Sequence, residues 1–241
     1  MDQAPPYSQI PTKWPTVPGH VLRLATQRAL VALANDGLRP VGRRLATYYD
    51  IDGDYVGASF TELVPNDWHD VTAADLHAIT LMSGKIGARA TRRLLGGPER
   101  TWVVEALRRL PDRDLLLADR ATLDAMLDFH CALMHALSDA DIGQSTRRVA
   151  ASALAARKRP DLFPILDRVV CGHLGLLQFQ DARCGWLVFR SVLQDDNVQR
   201  AVRAVPDAVA DAEANRTIVL EPSELRLLDA AVRTYVGSPT A

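Results

Sequence analysis

Apolar residues recur in this chain every three to four positions, segment after segment, and almost nowhere at every second position. A helix shows one face to a core with a period of 3.6 and a strand with a period of 2, so the spacing predicts helices. Over residues 20–35, Val21, Leu22, Leu24, Ala25, Ala29, Leu30, Leu33 and Ala34 form such a stripe, and Gly37 follows as its C-terminal stop. Only 6% of residues are aromatic against 48% hydrophobic, so the core must be built mainly of Leu, Ala and Val, which favours helices over a β-sandwich. Residues 217–220 alone read as strand, too short and too isolated for a sheet. The expectation is an all-α protein.

Residues 1–19 contain Pro5, Pro6, Pro11, Pro15 and Pro18 and read as an extended arm with Trp14 as its candidate anchor. Residues 20–236 read as one helical domain of two lobes, followed by a flexible C-terminus over 237–241. Residues 41–66 have no clear period. Asp50, Asp52 and Asp54 there are spaced like the start of a calcium loop, but Tyr55 stands where the loop needs Gly and Thr61 where it needs Glu. A solvated turn is the better reading. Thr72 and Asp75 form a shortened capping box that opens a helix towards Gly84. Further helices are expected at about 86–95, from Pro98 through Leu107, and at 122–137, 145–158, 167–177, 182–193, 197–204 and 222–235.

The formal net charge of -1 argues against a chain that coats polyanions indiscriminately and leaves room for a local basic face. The three cysteines, Cys131, Cys171 and Cys184, lack CxxC spacing and are too few for a four-cysteine cluster, so they read as buried thiols. His130 and His135 are five apart and lie off a common helix face. No metal and no cofactor is expected. No leader and no apolar run long enough for a membrane is visible, which points to a cytoplasmic protein.

The chemistry-bearing stretch is 143–170. Gly143 ends a short turn between two helices, and the backbone N–H groups of Gly143, Gln144, Ser145 and Thr146 open the second, a geometry able to hold a phosphate. An ordinary helix connection explains the same residues. Arg147 and Arg148 follow, then Arg157, Lys158 and Arg159 about three turns on. That separation would suit contacts of the two groups to separate phosphates, or the last three cations would simply complement the helix dipole. A Pro160–Pro164 loop then leads to Asp167, with Arg168 behind it. Asp167 falls at a helix start, where the dipole and free N–H groups favour negative charge. It is either a catalytic acid amid cations or a helix cap.

The run STRRVAASALAARKRPDLFPILDRVV over 145–170 resembles the part of helix-hairpin-helix DNA glycosylases in which a hairpin precedes a Pro-containing loop and a catalytic aspartate. The chain is more similar still, over about 48–235, to an uncharacterised actinobacterial family of unknown function, through DLHAITLMS at 75–83, KRPDLFPILD at 158–167 and SELRLLD at 223–229. The glycosylase resemblance implies that fold, with DNA as partner, Asp167 in the cleft between lobes as the acid that stabilises an oxocarbenium-like sugar and orients water, and Phe163 and Trp186 as walls for an extruded base. Arg148 and Val149 stand where bifunctional members carry a lysine nucleophile, so strand cleavage is not implied. The expectation is a monofunctional DNA glycosylase. The alternatives are a DNA-binding module without catalysis, or a helical interaction protein that does not touch nucleic acid. The substrate base and the oligomeric state are not readable from the residues.

Overall fold

Helix starts in this chain are written in its short polar residues. Asp119, Asp167, Asp181, Asp195 and Ser223 each accept a hydrogen bond from a backbone N–H in the first turn of the helix they precede. The computed structural model describes residues 13–82, 85–139, 143–213 and 216–237, and among these it is helical without a strand. Most of the expected arm (1–12), residues 140–142 of the expected hairpin turn and the last residues (238–241) lie outside the described residues. The residues expected to form a strand make one isolated antiparallel bridge, Ile218 to Asp50.

The chain divides into two compact units, the second made of segments on either side of the first. Unit 1 comprises Met1–Trp14 and Leu63–Phe163. It holds α4 (Ala73–Met82), α5 (Ala88–Leu95), α6 (Pro98–Arg109), a 3-10 turn (Leu115–Leu117), α7 (Arg120–Ala136) and α8 (Gln144–Lys158). The helix α8 packs on both α4 and α7. Every residue from Ala150 to Arg159 is buried, and the run of alanines lets neighbours approach on all sides. Phe163 closes this core against Phe129, their ring centroids 5.9 Å apart. Trp14 is anchored by its indole N–H, which donates to Asp124 Oδ1 at 2.7 Å.

Unit 2 comprises Pro15–Glu62 and Pro164–Ala241. It holds α1 (Gly19–Leu33), α2 (Val41–Tyr48), α3 (Val56–Glu62), α9 (Arg168–Leu174), α10 (Ala182–Leu193), α11 (Asp196–Arg203), α12 (Val205–Ala212) and α13 (Glu224–Val236). The helix α1 packs on α9, α10, α11 and α13, while α2 packs on α12 and α13. A Cβ on Gly42 would lie 2.1 Å from the Ala208 carbonyl oxygen, so only glycine permits the close approach of α2 to α12. Arg44 fastens α2 to α13, donating to Ala231 O at 2.8 Å and Thr234 Oγ1 at 2.7 Å.

Three helices differ from the sequence expectation. The helices α2 and α3 occupy the region without clear period, and α12 follows α11 directly where nothing was expected. Each is only seven or eight residues long, and Pro206, which reads as a breaker, sits in α12's first turn, where proline is tolerated. The expected 167–177 helix stops at Leu174, because Gly175 takes a left-handed φ of 77° and turns the chain. The three aspartates at 50–54 form an ordinary turn in which Asp50 Oδ1 accepts from the Asp52 N–H at 3.1 Å.

Candidate functional site

The three cations that close α8 are internal. The Arg157 and Lys158 side chains have no exposed surface, and both pair with Asp75, Nε to Oδ1 at 2.7 Å and Nζ to Oδ2 at 2.6 Å. Lys158 Nζ also donates to Asn66 Oδ1 at 3.0 Å and the Asp67 carbonyl at 2.9 Å, which uses all three of its protons. Arg157 donates to the Leu63 carbonyl, and Arg159 reaches the Trp68 carbonyl at 2.6 Å while lying over the Trp68 ring. Burial pulls the Lys158 ammonium below its ordinary value, against the opposing pull of Asp75. The cluster therefore straps residues 63–68 to the end of α8 and is occupied by protein groups.

Asp75 does double duty. Its Oδ2 accepts from the Thr72 N–H at 2.7 Å and the Thr72 hydroxyl at 3.0 Å, completing the capping box, while both oxygens neutralise α8. The cap was legible in the sequence. The pairing was not, because the partners lie 82 residues apart.

Asp167 sits at the N-cap of α9, its Oδ1 accepting from the Val170 N–H at 2.8 Å. Its Oδ2 is held by Arg233 of α13, and only 8% of the residue is exposed. The neighbouring turns of α13 carry a buried charge network. Arg226 pairs with Asp229 and, at 3.3 Å, with Glu221, whose other oxygen accepts the Tyr49 hydroxyl proton at 2.6 Å. The Asp229 Oδ2 also accepts from the Ile165 N–H at 3.2 Å, which ties the loop before Asp167 to α13. Burial raises the Asp229 carboxyl, with Arg226 and Arg233 opposing it. Burial depresses Arg226 and Arg233, but the surrounding carboxylates outweigh it and both end above their ordinary value. Cys171, one turn along α9, is pushed up to about 12 by burial and then by Asp167 and Asp229, so its thiol stays protonated at neutral pH. Arg233, Arg226 and Glu221 were missed as partners of Asp167's neighbourhood, although SELRLLD carries two charges of this network, Arg226 and Asp229, at helical spacing.

The other expected site residues fall in varied surroundings. Phe163 and Trp186 are each 1% exposed, the first in the core of unit 1 and the second in that of unit 2. Arg168 is exposed on the first turn of α9. Gly143, Gln144 and Ser145 are exposed at the start of α8, with Thr146, Arg147 and Arg148 half-buried behind them. Arg93 of α5 reaches the residue where α7 gives way to the hairpin, donating to the Ser138 carbonyl at 2.7 Å and its hydroxyl at 3.1 Å. Lys85, Arg89 and Arg92 are exposed on and just before the same helix α5. They were missed in the sequence, although residues 85–100 hold five cations against one carboxylate.

Among the described residues no group of three or more His, Cys, Asp or Glu could hold a metal ion, and no helix is long and apolar enough to cross a membrane. Residues 41–236, from the first residue of α2 to the last of α13, match the profile of a family described as a family of unknown function, DUF6308. No curated protein and no solved structure matches the chain.

Proposed function

The chain belongs to the DUF6308 family of unknown function, and we propose that it is a DNA-binding protein acting as a monofunctional DNA glycosylase. The observation that carries this reading is the placement of Asp167. It heads α9 after α8 and the Pro164 loop, in the order the glycosylase resemblance requires, with its carboxylate fixed by the Val170 N–H and Arg233. In the reaction, water adds to the sugar C1′ as the bond to the base breaks, and the base leaves with the displaced electron pair and takes up a proton. Asp167 would stabilise the cationic sugar and take the proton of the attacking water. For that, Arg233 must leave Oδ2, since a carboxylate already neutralised by a guanidinium offers little to a developing cation. Phosphate contact falls to Arg147, Arg148 and the start of α8, because Arg157, Lys158 and Arg159 are occupied inside unit 1.

A DNA-binding module without chemistry is favoured by one specific observation: both oxygens of Asp167 already have partners. A panel of duplexes with modified bases, treated with alkali to reveal abasic sites, separates the two. Base release by the native protein and not by Asp167→Asn supports the enzyme, and strands should stay intact before alkali because no lysine nucleophile follows the hairpin. Salt-sensitive binding without release from any duplex leaves the module. Absence of binding near roughly 50 mM salt, where phosphate contacts are strong, leaves a helical interaction protein.

A further inference from the structure

We propose that α5 is a second phosphate-binding element of unit 1, and that Arg89 and Arg92, with Lys85 before the helix, grip the DNA backbone beside the hairpin. The inference rests on the DNA-binding part of the reading above and adds residues to it. The helix α5 is amphipathic in an unusual sense: Ala90 and Leu94 are buried, and the opposite side is cationic. Arg89 and Arg92 are one turn apart and so share a face. Lys85, Arg89 and Arg92 are exposed, and among the described residues none of their side chains makes a hydrogen bond or an ion pair. Most other arginines of unit 1 are spoken for: Arg100 by Asp70, Arg109 by Asp128, Arg113 by Asp119 and Arg157 by Asp75.

Position supplies the second argument. Arg93, on the same helix and half-buried, fixes α5 to the exit of α7 through the Ser138 carbonyl and hydroxyl. It is itself steadied by Glu99 at 3.1 Å. A Cβ at Gly97 would lie 2.8 Å from Glu99 Oε2 and 3.0 Å from the Arg93 Cα, so a larger residue where α5 hands over to α6 would displace the Glu99 carboxylate that steadies Arg93. Asp139, next to Ser138, forms no ion pair with any of the three free cations. The cationic helix α5 is thereby held at the end of α7 in unit 1. Exposed cations without side-chain partners, two of them one turn apart on a helix, suit a charged backbone, and they carry no means of reading bases.

The test is a salt titration of binding to an unmodified 20-base-pair duplex, followed by fluorescence anisotropy, for the native chain and for Arg89→Gln/Arg92→Gln. Two lost phosphate contacts should flatten the log–log salt slope by about 1.8 and weaken binding at least tenfold at about 0.1 M salt. The thermal midpoint should not move, since neither side chain has an internal partner. Arg108→Gln, an exposed cation at the far end of α6, should leave the slope unchanged and controls for net charge. A native slope in Arg89→Gln/Arg92→Gln, with a flattened one in Arg147→Gln/Arg148→Gln, overturns the role of α5 and leaves the DNA-binding reading standing. A native chain with no salt-sensitive binding overturns both. Binding through α5 without base release from any duplex upholds the inference and removes only the enzymatic step.

Discussion

At the scale of single residues, two acids that look alike in the sequence serve different ends. Asp75 is shared by two cations with no exposed surface, so Lys158→Met leaves it paired with Arg157 but takes the donor from Asn66 Oδ1 and the Asp67 carbonyl. The expected cost is about 1–3 kcal/mol, measured by urea unfolding, with no change in the salt slope of DNA binding. A flattened slope would put Lys158 on the DNA face after all. Asp167→Asn keeps an oxygen for the Val170 N–H but takes the charge from Arg233. Its expected loss of stability is about 1–3 kcal/mol, and base release should fall at least about a hundredfold. Full activity in that variant would exclude the carboxylate from the chemistry. Sequence reasoning found Asp167 and its cap because capping is local. It did not find Arg233, 66 residues away, because nothing in a charge's own neighbourhood says which distant charge will meet it.

Among the elements, long helices were legible and short ones were not. The helices α1, α7, α8 and α13, each thirteen residues or more, carry enough turns for a period to show. The helices α2, α3 and α12 have about two turns each, and their stability comes from what they pack on. The contact of α2 with α12 hinges on Gly42. With the Ala208 carbonyl 2.1 Å from any added Cβ, Gly42→Ala must push the two helices apart, although alanine is the better helix former. The expected outcome is a loss of about 1–3 kcal/mol and a lower thermal midpoint. A stabilised Gly42→Ala protein would mean that α12 yields without cost. The opposite error occurred at the end of α8, where a cationic helix terminus suggested a surface. Burial of the whole last turn depends on Asp75 and on backbone carbonyls at 63–68, none of which local periodicity reveals.

For the molecule as a whole, the buried groups of unit 2 set an alkaline limit. Burial raises Cys171 to about 12 from an ordinary 9.0 and Tyr48 to about 12 from 10.0, and it carries Tyr49 well above 10.0. Folded-state values above the unfolded ones mean that the unfolded chain loses these protons first. The stabilising contribution is therefore complete below about pH 9 and fades as pH rises towards 12. Over that window stability should fall by up to about 1.4 kcal/mol per pH unit for each group. Tyr48→Phe should shallow the slope above pH 10, seen in urea unfolding at stepped pH. An unchanged slope would show that Tyr48 ionises as freely in the folded protein as in the unfolded one.

The division of unit 2 into two stretches of sequence has a consequence during synthesis. The helices α1 and α2 leave the ribosome before α9–α13, their packing partners, and the roughly 100 residues of unit 1 intervene. At 5–20 residues per second that is a wait of about 5–20 s. Unit 1 is contiguous apart from its arm, so it can close while still tethered. The apolar stripes of α1 and α2 spend the same interval uncovered, and in this period a nascent chain would be most open to a chaperone or to a wrong partner.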